Sequence, residues 1–158
     1  MTEYLVNKTF DEIKIGDSAS LQRTLTNEDI QLFAIMSGDV NPAHVDAQYA
    51  KDDIFHHVIA HGLWGGSLIS TLLGTQLPGP GTIYISQTFN FLRPVAVGDT
   101  ITAKVKIIGK NQENHRVTLD CECINQNDKP VITGQAVILA PTEKVRVKKV
   151  KLPRIELH

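Results

Sequence analysis

In the run Gly38-Asp39-Val40-Asn41-Pro42-Ala43-His44, a carboxylate and an imidazole stand five positions apart on either side of an Asn-Pro pair. Proline disfavours helical backbone at the residue before it, so the chain must bend out of any preceding helix at Asn41. A bend of this kind can aim Asp39 and His44 at one point. The chemistry open to such a pair is acid–base work on a shared water. An imidazole with a pKa of about 6.5 takes and returns a proton near neutrality, while the carboxylate orients the water or handles the second proton. The same residues also admit a local reading, with Asp39 stabilising a helix end and His44 packing over Pro42, because Asp, Asn and Pro are common turn formers.

A second feature is Gly62, which opens the apolar stretch His61-Gly-Leu-Trp-Gly-Gly-Ser-Leu-Ile-Ser-Thr-Leu-Leu-Gly-Thr-Gln-Leu77. A helix starting there presents unpaired N–H groups and a partial positive charge, and in an apolar pocket such a donor can hold the oxyanion of an enolate. The bland alternative is a glycine packed closely against a strand. Four histidines (His44, His56, His57 and His61) raise the question of zinc. Adjacent residues such as His56 and His57 seldom face the same way, and no cysteine falls at ligand spacing, so no metal site is expected. Ser70 lacks the G-x-S-x-G setting of a hydrolase nucleophile. It either bonds its own helix backbone or faces a pocket. Pro78-Gly79-Pro80-Gly81 has no Lys-Ser/Thr of a phosphate loop and reads as a chain reversal.

The elements that must position these groups follow from periodicity. Between Asp53 and Arg93 there is no charged residue other than histidine. A helix over 61–77 therefore has no charged face and must be covered on most sides. It is too short and too rich in glycine and hydroxyls to span a membrane. Residues 27–37 form an earlier helix, opened by Thr26 with Asp29 in the place of a capping-box acid. Ile30, Phe33, Ala34 and Met36 turn inward and Gly38 ends it. Asp46 to Lys51 reads as a short helical turn. Ser18–Leu25, 82–94, 100–107, 116–123 and 131–140 alternate as strands, the last apolar on both faces. Hairpin-type links at Gly98-Asp99, 111–114 and 125–128 join the later four. The sum is an α+β architecture, a curved antiparallel sheet closing on one helix.

At 158 residues the chain suits one domain with its own core. Met1–Lys8 reads as a loose arm without the apolar run of a secretory signal. Cys121 and Cys123 share one strand face, a poor disulfide geometry, and suit a reducing, cytoplasmic setting. The net charge of −1 is unevenly spread: residues 143–158 carry +4, leaving about −5 for the rest. The division expected is a domain over 1–142 and a basic tail or linker over 143–158. The tail has no aromatics with which to read nucleic acid.

Together, Gly38-Asp39-x-Asn41-Pro42-x-His44, His61-Gly62, Pro78-Gly79-Pro80-Gly81-Thr82-Ile83-Tyr84 and Arg93-Pro94-Val95-x-x-Gly98-Asp99-Thr100 resemble the MaoC-like, (R)-specific enoyl-CoA hydratases over Phe10 to about Ala140. With its exit at Ala140-Pro141-Thr142-Glu143-Lys144-Val145, the chain is most similar to the hydratase-like domain that precedes a phosphate acyltransferase in bifunctional proteins. The resemblance implies a hot-dog fold and a homodimer or higher homo-oligomer, with an acyl-CoA tunnel near the interface. It also implies reversible hydration of a trans-2-enoyl-CoA with no cofactor. In that family Asp39 and His44 would activate water and the Gly62 N–H would hold the thioester oxygen. Asn41 would shape the loop, Ser70 would sit in the pocket and Trp64 would border the tunnel. Two other functions share this fold, a non-catalytic acyl-CoA docking module and a hot-dog thioesterase.

Overall fold

The computed structural model describes residues 1–158, in the order β1 (Tyr4–Val6), β2 (Ser18–Thr24), α1 (Asn27–Ser37), α2 (Pro42–Val45), α3 (Ala47–Asp52), α4 (Gly62–Thr75), β3 (Ile83–Phe91), β4 (Thr100–Asn111), β5 (Arg116–Ile124), β6 (Pro130–Leu139) and β7 (Arg146–Lys148). The long strands form one antiparallel sheet in the order β2-β4-β5-β6-β3. Their alternation decides which side is buried: Ile101, Ala103, Val105 and Ile107 of β4 and Val117, Leu119, Cys121 and Cys123 of β5 all face one core. Helix α4 packs on that side against β4, β2 and β5, with Ile69, Leu72 and Leu73 fully enclosed. Each such side chain contributes about 1.5–3 kcal/mol through removal from water. The two thiols are core groups, and burial pushes Cys121 up to about 11 and Cys123 to about 12.

Helix α1 starts and stops as its sequence directs. Thr26 Oγ1 accepts the Asp29 N–H at 3.1 Å and the Asp29 carboxylate accepts the Thr26 N–H, a complete capping box. At the other end Gly38 takes φ 78° and its N–H donates to Ala34 O at 2.8 Å. Few residues but glycine occupy that left-handed region without strain. The turn it makes delivers the chain to Asp39.

Several expectations need correction. Met36 is not inward but 73% exposed. The Gly98-Asp99 turn does not close a hairpin between β3 and β4. Strand β3 pairs instead with β6 at the far edge, and residues 92–99 carry the chain across the α4 entrance, where Ala96 bridges Ile59. The sheet does not cover α4 all round, since Leu63 is 57% exposed and Ser67, Ser70, Thr71 and Gly74 lie on the same open side. Ile83 and Ile85, expected on a covered face of β3, are also exposed.

Nor is the amino-terminal arm loose. Residues Tyr4, Leu5 and Val6 pair with Lys148, Val147 and Arg146, so part of the basic tail returns to the domain as β7. Asn7, almost wholly buried, fastens both ends: its Nδ2 donates to Pro80 O at 3.1 Å and Glu143 O at 2.9 Å, and its Oδ1 accepts the Val145 N–H at 3.0 Å. Residues 149–158 have no regular secondary structure.

Candidate active site

A chain of short hydrogen bonds builds the loop that holds Asp39 and His44. Ser37 Oγ donates to Phe33 O at 2.7 Å and accepts the Asp39 N–H at 3.1 Å. Asp39 Oδ1 accepts the Asn41 N–H, and Asn41 Oδ1 accepts the Ala43 N–H, each at 3.1 Å. Asn41 thus caps the single turn of α2, whose first residue is Pro42, where its fixed φ and missing N–H cost nothing. That turn places His44 beside Asp39. The ligand-capable atoms of Asp39, His44 and a third residue, His61, lie within 4.8 Å of one another.

The surrounding carbonyls fix how the rings are used. His44 Nδ1 lies 2.9 Å from Ile59 O. A carbonyl can only accept, so Nδ1 carries the hydrogen and Nε2 keeps the lone pair in the neutral ring. His61 Nε2 lies 3.0 Å from Asp39 O and therefore donates to it. It is also 4.0 Å from Asp39 Oδ2. The His61 ring is stacked on Phe33 with centroids 4.5 Å apart and sits 4.2 Å from the His44 ring. One nitrogen of each histidine is thus engaged with a carbonyl, and His56 and His57 do not join the cluster. Asp39 is 49% exposed, whereas His61 is only 3% exposed.

Immediately beyond His61, Gly62 opens α4. Its N–H reaches no acceptor, and no side chain caps this helix. The free donor stands at the positive end of a 14-residue helix. A Cβ at position 62 would approach the Phe91 ring to 3.0 Å, so glycine lets the ring lie over the helix entrance. His44, His61, Gly62 and Gly65 line a cleft of about 330 Å³ whose remaining walls include Phe55, Ile59, Phe91, Val95 and Ile132. Arg93 is the one residue with a permanent charge among those lining it, and its Nη1 donates to Pro130 O. An apolar wall with a few convergent polar groups at one end is the usual form of a small-molecule site.

Of the residues singled out from the sequence, His44 and Gly62 line this cleft, while Asp39 stands at its margin, within 4.8 Å of the ligand-capable nitrogens of His44 and His61. Asn41 shapes the loop but its side-chain oxygen is engaged in the α2 cap. Ser70 and Trp64 are not brought to the cleft. Ser70 is exposed and lines a separate groove with Leu63, Ser67, Ile85 and Phe89. Trp64 is buried in the core, bordering a depression with Leu32, Phe33 and Met36 on the side of α4 that meets α1. Helical geometry explains both, since successive residues point about 100° apart and only Gly62 and Gly65 share the cleft side. His61 is a neighbour of the pair that neither its place in the His61-Gly62 motif nor its count among the four histidines reveals by itself. Its position just before the helix, where a side chain can fold back over the preceding loop, was the available signal.

A single long helix laid on a curved antiparallel sheet, with a carboxylate and two imidazoles clustered near its free N-terminus, defines a hot-dog domain carrying a polar site. The particular family follows from comparison with known proteins. Residues 12–126 match the MaoC like domain, and the chain belongs to that family. It is 45% identical over 137 residues to the (R)-specific enoyl-CoA hydratase of Rhodospirillum rubrum, covering 87% of this chain and 94% of that protein. It is 38% identical to the 3-hydroxybutyryl-CoA dehydratase of Methylorubrum extorquens, covering 85% of each. Its structure superposes on R-hydratase PhaJ1 from Pseudomonas aeruginosa in the unliganded form with a TM-score of 0.94 and 40% identity, over 99% of this chain and 100% of that one.

Proposed function

We propose that this chain catalyses the reversible, (R)-specific hydration of a trans-2-enoyl-CoA to a (3R)-3-hydroxyacyl-CoA. Its relatives in Rhodospirillum rubrum and Aeromonas caviae carry the name (R)-specific enoyl-CoA hydratase. The observation that carries the reading for this chain is that His44, which lies within 4.8 Å of Asp39, shares an apolar cleft with the unpaired Gly62 N–H.

The thioester carbonyl accepts the Gly62 N–H, which polarises the conjugated double bond. Water held between Asp39 and His44 adds its oxygen to C3 while His44 Nε2 takes one of its hydrogens. The C2=C3 electron pair moves toward the thioester oxygen, and the developing negative charge is met by the helix N-terminus. Protonation of C2 on the same face by the acid form of the pair restores the carbonyl and the resting enzyme. The elements of one water have then been added and nothing has been oxidised or reduced. The apolar walls accept the acyl chain.

The purified chain mixed with crotonyl-CoA is expected to lose the ultraviolet absorbance of the conjugated thioester and to yield the (3R) alcohol on chiral analysis. Release of free CoA without hydration marks a thioesterase instead. Binding without turnover marks a docking module, and either result overturns the assignment.

The exposed row of Leu63, Ile83, Ile85 and Phe91, beside the free edge of β3, supports a homodimer formed across this face. An Ile85→Asp variant is then expected to raise the dimer Kd by about 100-fold or more, because an unpaired charge at a closed interface costs about 3 kcal/mol or more. Sedimentation equilibrium measures it, and an unchanged dimer excludes this face.

No helix is long and apolar enough to cross a membrane, and Cys121 and Cys123 are buried free thiols. An attached phosphate acyltransferase rests only on the likeness of the exit at residues 140–145. The hydratases of Rhodospirillum rubrum and Aeromonas caviae are matched over 94% and 96% of their own lengths, which leaves no such domain in them.

A further inference from the structure

We propose that His61 is a positioning residue for the acid–base pair, acting through the backbone of Asp39 and the ring of His44; the inference rests on the hydratase reading above. His61 has direct contact with both members: Nε2 donates to Asp39 O at 3.0 Å, and its ring lies 4.2 Å from the His44 ring while Phe33 backs it at 4.5 Å.

The position of Asp39 needs such a support. Its side chain is half exposed, its loop follows a glycine turn, and apart from His61 it is tied only by short-range bonds to Ser37 and Asn41. His61 supplies the link across 22 residues that fastens this loop to the start of α4. The same residue immediately precedes Gly62, so one ring sets the distance between the water-activating pair and the oxyanion donor.

A ring retained only for packing would be a poor choice here. His61 Nδ1 is buried and has no hydrogen-bond partner. An orphaned buried acceptor is destabilising, and native structures rarely keep one without a reason. Phenylalanine would fill the same slot between Phe33 and His44 without that penalty. What it could not supply is the N–H to Asp39 O.

This contrast provides the test. In His61→Phe, kcat for crotonyl-CoA hydration is expected to fall about 10- to 100-fold with KM changed little, since a displacement of about 1 Å in a reacting group can cost that much. Its Tm is expected to be equal to or above that of the parent. His61→Gln, whose amide nitrogen can reach the Nε2 position and donate to Asp39 O, is expected to recover most of the lost kcat.

A readout independent of turnover is the Asn41 amide proton, which Asp39 Oδ1 accepts. It is expected to exchange with solvent faster in His61→Phe and to be protected again in His61→Gln. Normal turnover in a stable His61→Phe protein, or equal loss in the Phe and Gln variants, overturns the proposal. If His61→Phe and a second donor-free variant, His61→Leu, both fail to fold, His61 belongs to the fold rather than to the pair, which overturns it equally. A parent protein without hydratase activity defeats the functional assignment separately, and the Asn41 exchange still reads the geometry.

Discussion

Replacement of either member of the pair is expected to lower kcat by about 100- to 10,000-fold, the contribution usual for a positioned acid or base. Asp39→Asn is the more informative change. The amide oxygen of asparagine can still accept the Asn41 N–H that Asp39 Oδ1 accepts at 3.1 Å, so the loop keeps its shape while the carboxylate chemistry is removed. His44→Ala removes the base at Nε2 and also leaves Ile59 O without its donor. His44→Gln is its companion, since an amide can donate to that carbonyl but cannot take a proton from water. KM is expected to move only a few-fold in all three, because the apolar wall formed by Phe55, Phe91, Val95 and Ile132 is untouched. Groups that act as one unit are not additive, so Asp39→Asn combined with His44→Ala is expected to cost about as much as the worse single change. Steady-state hydration of crotonyl-CoA checks this, and parent-like kcat in Asp39→Asn or His44→Gln removes the mechanism.

The second large effect concerns a backbone atom. If the Gly62 N–H holds the thioester oxygen as negative charge develops, its removal is expected to cost about 100- to 1,000-fold in kcat, as for other oxyanion donors. Proline performs that deletion with little damage to the helix. Position 62 is the first of α4, where proline is favoured, and His61 already has the extended φ −56° and ψ 137° that a residue before proline adopts. The obstacle is steric, because a Cβ at 62 would come within 3.0 Å of the Phe91 ring. Pairing the change with Phe91→Leu relieves that contact, and the double variant Gly62→Ala/Phe91→Leu is the control that keeps the N–H. The control is expected to stay within a few-fold of the parent, while Gly62→Pro/Phe91→Leu falls by the full factor. Equal rates in the two double variants would show that the carbonyl is held elsewhere.

Both experiments, like the one on His61, ask whether groups from two separate stretches, residues 39–44 and 61–62, act together. The loop carrying Asp39 and His44, the ring at His61 and the N–H at Gly62 are joined by His44 Nδ1 to Ile59 O and His61 Nε2 to Asp39 O. Neither bond lies within one secondary element, so deletion of either is expected to disturb chemistry more than overall stability.

What could be read from the amino acids alone was whatever depends on short range. Thr26 and Asp29 specify the start of α1 and Gly38 its end, because caps involve neighbours three or four positions away. Asn41-Pro42 specifies the bend that brings Asp39 toward His44, and the missing charges between residues 53 and 93 mark α4 as a core element. Alternation marks the four long strands but not their order, so it predicts a β3–β4 hairpin where β3 pairs with β6. Period-2 patterning says which side of a strand is buried, not which strand lies beside it. The exposure of Ile83, Ile85 and Leu63 was hidden for a similar reason, since an apolar residue awaiting another surface looks in sequence like one already covered. The anchoring of both chain ends at Asn7 spans up to 138 residues and leaves no periodic trace. The placement of Trp64, Ser70 and of His61 at the cap of α4 is decided by tertiary structure for one reason: it depends on how that helix is rotated against the sheet. That rotation is set by glycines 62, 65 and 66 admitting Phe91, Ile132 and Phe89 to close contact.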